Sequence, residues 1–97
     1  MDLNERLAAL SAEIAEEQTQ LRILEEQVAF QAEVADDARI RALVSETPLA
    51  DREARTAADD LHRLERSRDD SGRRVAELRT QQDALLERMF ATSGEQG

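Results

Sequence analysis

The feature that most constrains this chain is a pair of heptad repeats that mirror each other about residues 45–48. In the first half, residues at alternating spacings of three and four are Leu3, Leu7, Leu10, Ile14, Glu17, Leu21, Leu24, Val28, Gln31, Ala35, Ala38 and Ala42. In the second half the same spacing gives Ala50, Ala54, Ala57, Leu61, Leu64, Arg68, Ser71, Val75, Leu78, Gln82, Leu85 and Met89. This spacing places side chains on one face of an α-helix, so each half predicts one long amphipathic helix.

The two repeats come into register when the chain folds back on itself. Ala38 would then face Ala57 and Leu10 would face Leu85, and the position numbers of such pairs sum to 95 or 96 throughout. A constant sum is what antiparallel pairing requires. The sequence therefore predicts an all-α fold in which two long helices form an antiparallel coiled-coil hairpin, with dimerisation into a four-helix bundle as a possible extension.

The ends of the first helix carry local signals. Asp2 followed by Glu5 resembles a capping box, so we expect the first helix over about 3–44. The turn is expected at 45–48, because Thr47 suits the N-cap of the next helix and Pro48 suits its first position.

The second helix is predicted over about 49–92, followed by a frayed tail at 93–97 that begins near Gly94. Gly72 could interrupt this helix, but the heptad phase continues past it, which favours a continuous or slightly kinked helix. At this length we expect a single domain spanning residues 1–97.

Four polar residues with long side chains interrupt the seam, which we define as the two sets of heptad positions given above. They are Glu17, Gln31, Arg68 and Gln82. Polar seam residues lower stability and help to fix the register. We expect these side chains to bend outward into solvent.

The charge balance argues against nucleic acid and membrane partners. The formal net charge is −9 and aromatic residues make up 2% of the chain, which opposes binding to phosphate backbones and offers little stacking surface. Arg52, Arg66 and Arg73 form an outer stripe on the second helix, but interleaved acids favour an ordinary solvated face. No stretch is long and apolar enough to span a membrane.

The residue types also argue against catalysis and cofactors. Cysteine is absent, and His62 is the only histidine, so neither thiolate nor multi-histidine metal sites can form. A two-helix hairpin offers no concave pocket, and we therefore expect neither an enzyme nor a bound cofactor. The absence of cysteine and of a signal-peptide pattern leads us to expect a cytoplasmic protein.

Several apolar residues do not fit the seam. They lie on or near one outward flank of the first helix, and they are Ile23, Phe30, Val34, Ile40 and Val44, with Leu43 extending the surface toward the turn. A hairpin has no third layer to cover them, so we interpret them as a contact surface for a protein partner or a second copy. Scattered surface apolar residues are the alternative interpretation.

The turn is predicted to carry an acidic tip formed by Glu46, Asp51 and Glu53. Such carboxylates could meet a metal ion or a basic surface inside a larger machine. The alternative is that they complement the positive end of the second helix dipole and keep the turn soluble.

The segment from Pro48 to Ala58 resembles the tip of Gre-type transcript-cleavage factors. The family's tip reads approximately Asp-Leu-x-Glu-Asn-x-Glu-Tyr-x-x-Ala, which this chain matches at Leu49 and Ala58 and conservatively at Asp51. The resemblance implies a coiled-coil hairpin that enters the secondary channel of RNA polymerase. This chain has Pro48 where the family has its first acid, and Ala54 where the family has its second glutamate. Half of the metal-binding pair is therefore missing unless Glu46 substitutes. Channel binding without cleavage activity is what this resemblance implies.

Overall fold

The computed structural model describes residues 2–96, with side chains as far as Ala91. It contains two α-helices, α1 (Leu3–Ser45) and α2 (Pro48–Gln96), which pack against each other in an antiparallel hairpin. The predicted all-α hairpin fold is confirmed. The end of α2 differs from the prediction, because the helix continues through Gly94 to Gln96, whereas the sequence predicted an end near Thr92. One glycine costs a helix only about 1 kcal/mol relative to alanine, and residues 95–97 include no proline. Gly97 lies outside the described residues.

The start of α1 is capped as the sequence predicts. The backbone N–H of Glu5 donates to Asp2 Oδ1 at 2.7 Å, and the N–H of Arg6 donates to the Asp2 carbonyl at 3.0 Å. The Asp2 side chain thus satisfies one of the amide groups that lack a partner at a helix start.

The reversal is tighter than the predicted four-residue turn, because only Glu46 and Thr47 lie between the helices. Glu46 has a positive φ of 51° and its N–H donates to the Ala42 carbonyl at 3.1 Å, which ends α1 with a left-handed cap. Thr47 Oγ1 accepts a hydrogen bond from the N–H of Ala50 at 3.1 Å. Thr47 is therefore the N-cap of α2, and Pro48 is its first residue, as predicted.

Residue contacts divide the chain into two compact units. The tip unit comprises residues 21–70, and the base unit comprises the described residues up to 20 and from 71 onward. The base unit has the larger side chains in its core, where Leu10, Ile14 and Leu85 are buried and pack with Leu3, Leu7 and Leu78. The tip unit buries Ala38 and Ala57 instead.

The predicted seam is confirmed residue by residue. Every one of its members, in both units, is buried or half-buried. The core is nevertheless thin, because the buried apolar side chains keep 3–8% of their surface exposed and none within the described residues falls below 2%. Two helices without a third layer cannot cover a side chain from all directions.

The expectation that the polar seam residues bend outward is wrong for three of the four. Gln31 Nε2 donates to the Ala57 carbonyl at 3.1 Å in the tip unit. In the base unit, Gln82 Nε2 donates to Ser11 Oγ at 3.3 Å, and Glu17 accepts from the buried Ser71 hydroxyl at 3.3 Å. Partners on the facing helix satisfy these groups, so the half-buried positions cost little desolvation. Arg68 pairs with its neighbour, with Nη2 3.0 Å from Asp69 Oδ1.

Candidate protein-binding surface

The predicted outward flank of α1 is apolar and exposed in the tip unit. We define the apolar flank as Ile23, Phe30, Ile40 and Val44, whose exposed fractions are 41%, 68%, 46% and 80%. Ile23 and Phe30 are seven residues apart, two helical turns, and Val44 continues the same stripe after a further fourteen residues. The seam repeat turns the opposite side of α1 toward α2, so α2 leaves these side chains partly or largely exposed.

Val34 differs from the other residues predicted for this flank. It is half-buried and lines a groove between the helices with Gln31, Thr56 and Asp60. Its heptad position adjoins the seam, so side chains of α2 lie over part of it. Its membership in a partner surface stays a prediction, but it does not point away from the seam as the sequence suggested.

Exposed apolar side chains are concentrated in the tip unit. The large apolar side chains exposed in the part of the chain with described side chains are Ile23, Phe30, Ile40, Leu43, Val44, Leu49 and Phe90. All of them except Phe90 belong to the tip unit. Scattered surface residues would be spread over both units, so this distribution is what marks the tip unit as a candidate binding surface.

Leu49 and Phe90 were not assigned to any surface from the sequence. They are 63% and 72% exposed. A signal was available, because each falls directly beside a seam residue, Ala50 and Met89, and one step of 100° along a helix moves a side chain off the buried face.

A shallow groove adjoins the apolar flank. Ile23, Phe30, Glu26 and Gln27 line it on α1, and Leu64 lines it on α2. Its inner wall includes Gln31, whose amide is fixed by the hydrogen bond to the Ala57 carbonyl at 3.1 Å. The arrangement is an apolar stripe with carboxylate and amide groups at its edge.

The predicted acidic tip is exposed but is not strongly acidic as a whole. Glu46 lies in the turn, and Asp51 and Glu53 lie in the first two turns of α2. Residues 40–55 also carry three arginines, which balance the three acids. Among the described residues, no group of three His, Cys, Asp or Glu side chains is placed to hold a metal ion.

Neither helix, over its described length, contains an apolar stretch that could cross a membrane. Comparison with protein-family models, with curated proteins and with solved structures gave no match.

Proposed function

We propose that this chain is a non-enzymatic coiled-coil interaction module that associates with itself through the apolar flank. The observation that carries the proposal is the concentration of exposed apolar side chains in one unit, with Phe30 at 68% and Val44 at 80% exposure. A cytoplasmic location, expected from the absence of cysteine, is part of the proposal.

A second copy suits this surface because a two-fold contact brings the same apolar flank from both chains together. Contacts of this kind become stable when each partner buries about 800 Å². Phe30 is the largest exposed side chain of the flank, and buried aromatic residues commonly dominate the binding energy of an interface. We therefore place Phe30 at the centre of the contact.

Sedimentation equilibrium of matched variants tests the proposal. Phe30→Glu should weaken dimerisation by at least about a hundredfold, because burying an uncompensated carboxylate from each copy costs several kcal/mol. Phe90→Glu is the matched control, since it makes the same change at a phenylalanine of similar exposure, 72%, in the base unit. It should leave the dimer intact.

Two results would contradict the proposal. The first is a wild-type chain that is monomeric at tens of micromolar. The second is equal weakening by Phe30→Glu and Phe90→Glu. Circular dichroism of both variants should show unchanged helix content, because neither side chain belongs to the seam.

A second candidate function is insertion of the tip into a larger protein machine, with RNA polymerase the example that the Gre-like resemblance suggests. The exposure of Leu43 and Leu49 beside Glu46 supports a tip that makes contacts of its own. Fluorescence anisotropy with purified bacterial core polymerase tests this function. Leu49→Ser combined with Glu46→Gln should abolish binding while Phe90→Glu leaves it intact; no binding by the wild type would rule the function out.

A further inference from the structure

Near the turn, the small apolar side chains lie inside the hairpin and the large ones lie outside. We define the turn segment as residues 35–57, which belong to the tip unit. Its seam positions are all alanines: Ala35, Ala38, Ala42, Ala50, Ala54 and Ala57. Its large apolar side chains lie off the seam and are 46–80% exposed: Ile40, Leu43, Val44 and Leu49. In the base unit, by contrast, the buried apolar residues are large: Leu10, Ile14, Val75 and Leu85.

The alanine seam stabilises the turn segment less than a leucine seam would. Most of the stability of a helix in a protein comes from the packing of its apolar face, and burial contributes in proportion to the apolar area removed from water. An alanine side chain is one methyl group, whereas a leucine side chain has four carbons. Glu46 adds strain to the same segment, because its φ of 51° is unfavourable for a residue with a Cβ.

The weakly packed part of the seam ends at a polar contact. Gln31 Nε2 donates to the Ala57 carbonyl at 3.1 Å, and beyond this level the seam continues with Val28 and Leu61. Proteins open locally in cooperative units, and the parts with the fewest buried apolar contacts open most readily. Residues 35–57 fit that description within the tip unit.

Resting on the proposed self-association, we infer that the turn segment opens locally in the free chain and that contact across the apolar flank closes it. Two members of the flank, Ile40 and Val44, belong to the turn segment, so a second copy adds the burial there that the alanine seam does not provide. The opened form is a minor population. It therefore governs amide exchange but leaves the dissociation constant of the dimer nearly unchanged.

Amide hydrogen exchange, followed by mass spectrometry, tests the opening. In the free chain, peptides from the turn segment should have protection factors at least about tenfold lower than peptides around Ile14 and Val75. These two residues are buried in the base unit and lie several helical turns from the chain ends, so fraying does not reach them. Equal protection of both regions would overturn the inference and leave self-association standing.

The same measurement at increasing protein concentration tests the closing. Protection of the turn segment should rise at least about tenfold as the dimer forms, because opening then also breaks the contact across the flank. Phe30→Glu should keep the low protection at tens of micromolar, and Phe90→Glu should behave as the wild type. A turn segment that is equally protected in the free chain and in the dimer would show that association does not close it.

A larger seam residue tests the cause of the opening. Ala42→Leu, at a half-buried seam position, should raise the protection of the turn segment at least about tenfold in the monomeric Phe30→Glu background. Ala29→Leu is the matched control, because Ala29 is exposed on the same helix and both residue types favour helix. Equal protection in the two variants would mean that the alanine seam is not the cause.

The outcomes separate this inference from the proposed function. A wild-type chain that is monomeric at tens of micromolar overturns self-association and with it the closing step. The protection factors of that monomer still decide whether the turn segment opens.

Discussion

At the scale of single residues, the caps were predictable and the conformation of the turn was not. Asp2 and Thr47 are side chains whose capping role follows from local chemistry, and both make the predicted hydrogen bonds. Glu46 gives no such signal. It adopts a positive φ that usually selects glycine or asparagine, because the seam pairing on both sides forces the chain to reverse within two residues.

Replacing Glu46 with glycine should therefore stabilise the protein. The left-handed conformation costs a residue with a Cβ roughly 1–2 kcal/mol. Glycine avoids this cost, but its greater conformational freedom stabilises the unfolded chain and offsets about half of the gain. We expect a gain of about 0.5–1 kcal/mol in the free energy of unfolding, measured by urea denaturation at a fixed protein concentration. Glu46→Ala removes the charge but keeps the strain, and should show no such gain. Equal stability of the two variants would mean that the turn is not strained.

At the scale of the helices, periodicity predicted the buried faces but not whether the polar side chains on them turn outward or hydrogen-bond to the facing helix. The seam follows from the spacing alone, because a helix fixes where each side chain emerges. Whether Glu17 or Gln31 turns outward depends on what the facing helix offers, here the Ser71 hydroxyl and the Ala57 carbonyl. The heptad pattern of one helix does not show which groups of the facing helix lie opposite these side chains. That becomes known only when the register between the two helices is known.

The continuity of α2 through Gly72 leads to a second stability prediction. A Cβ added at Gly72 meets no atom within 4 Å, and the residue has no positive φ that would require glycine. Gly72→Ala should therefore stabilise the protein by about 1 kcal/mol through helix propensity. The converse control is Ala76→Gly, at an exposed position one turn further on, which should cost a similar amount. A loss of stability in Gly72→Ala would indicate that the helix is interrupted there in solution.

At the scale of the whole molecule, the fold could be predicted because one relation holds along both helices: the position numbers of facing seam residues sum to 95 or 96. The exposed apolar residues could be predicted only in part. Phe30 and Val44 were recognised as exposed because they break the seam pattern, whereas Val34 is half-buried because the facing helix covers part of it. Leu49 and Phe90 were missed although each stands directly beside a seam residue, where one step along the helix turns the side chain off the buried face.

Self-association through the apolar flank requires that the hairpin be closed within each chain. A dimer could otherwise form by exchange of helices, in which the seam of one chain is completed by the other. Ala38 and Ala57 are both buried and line the same groove in the tip unit, so cysteines at these positions should form a disulfide within one chain. The disulfide would lock the hairpin closed and leave the apolar flank unchanged.

Sedimentation equilibrium of the oxidised Ala38→Cys, Ala57→Cys protein is the most direct test of the central claim. We predict an intrachain disulfide, seen as a monomer on non-reducing gels, together with a dimer whose dissociation constant matches that of the reduced protein. A locked hairpin that is monomeric, while the reduced protein dimerises, would contradict the account and show that association occurs through the seam.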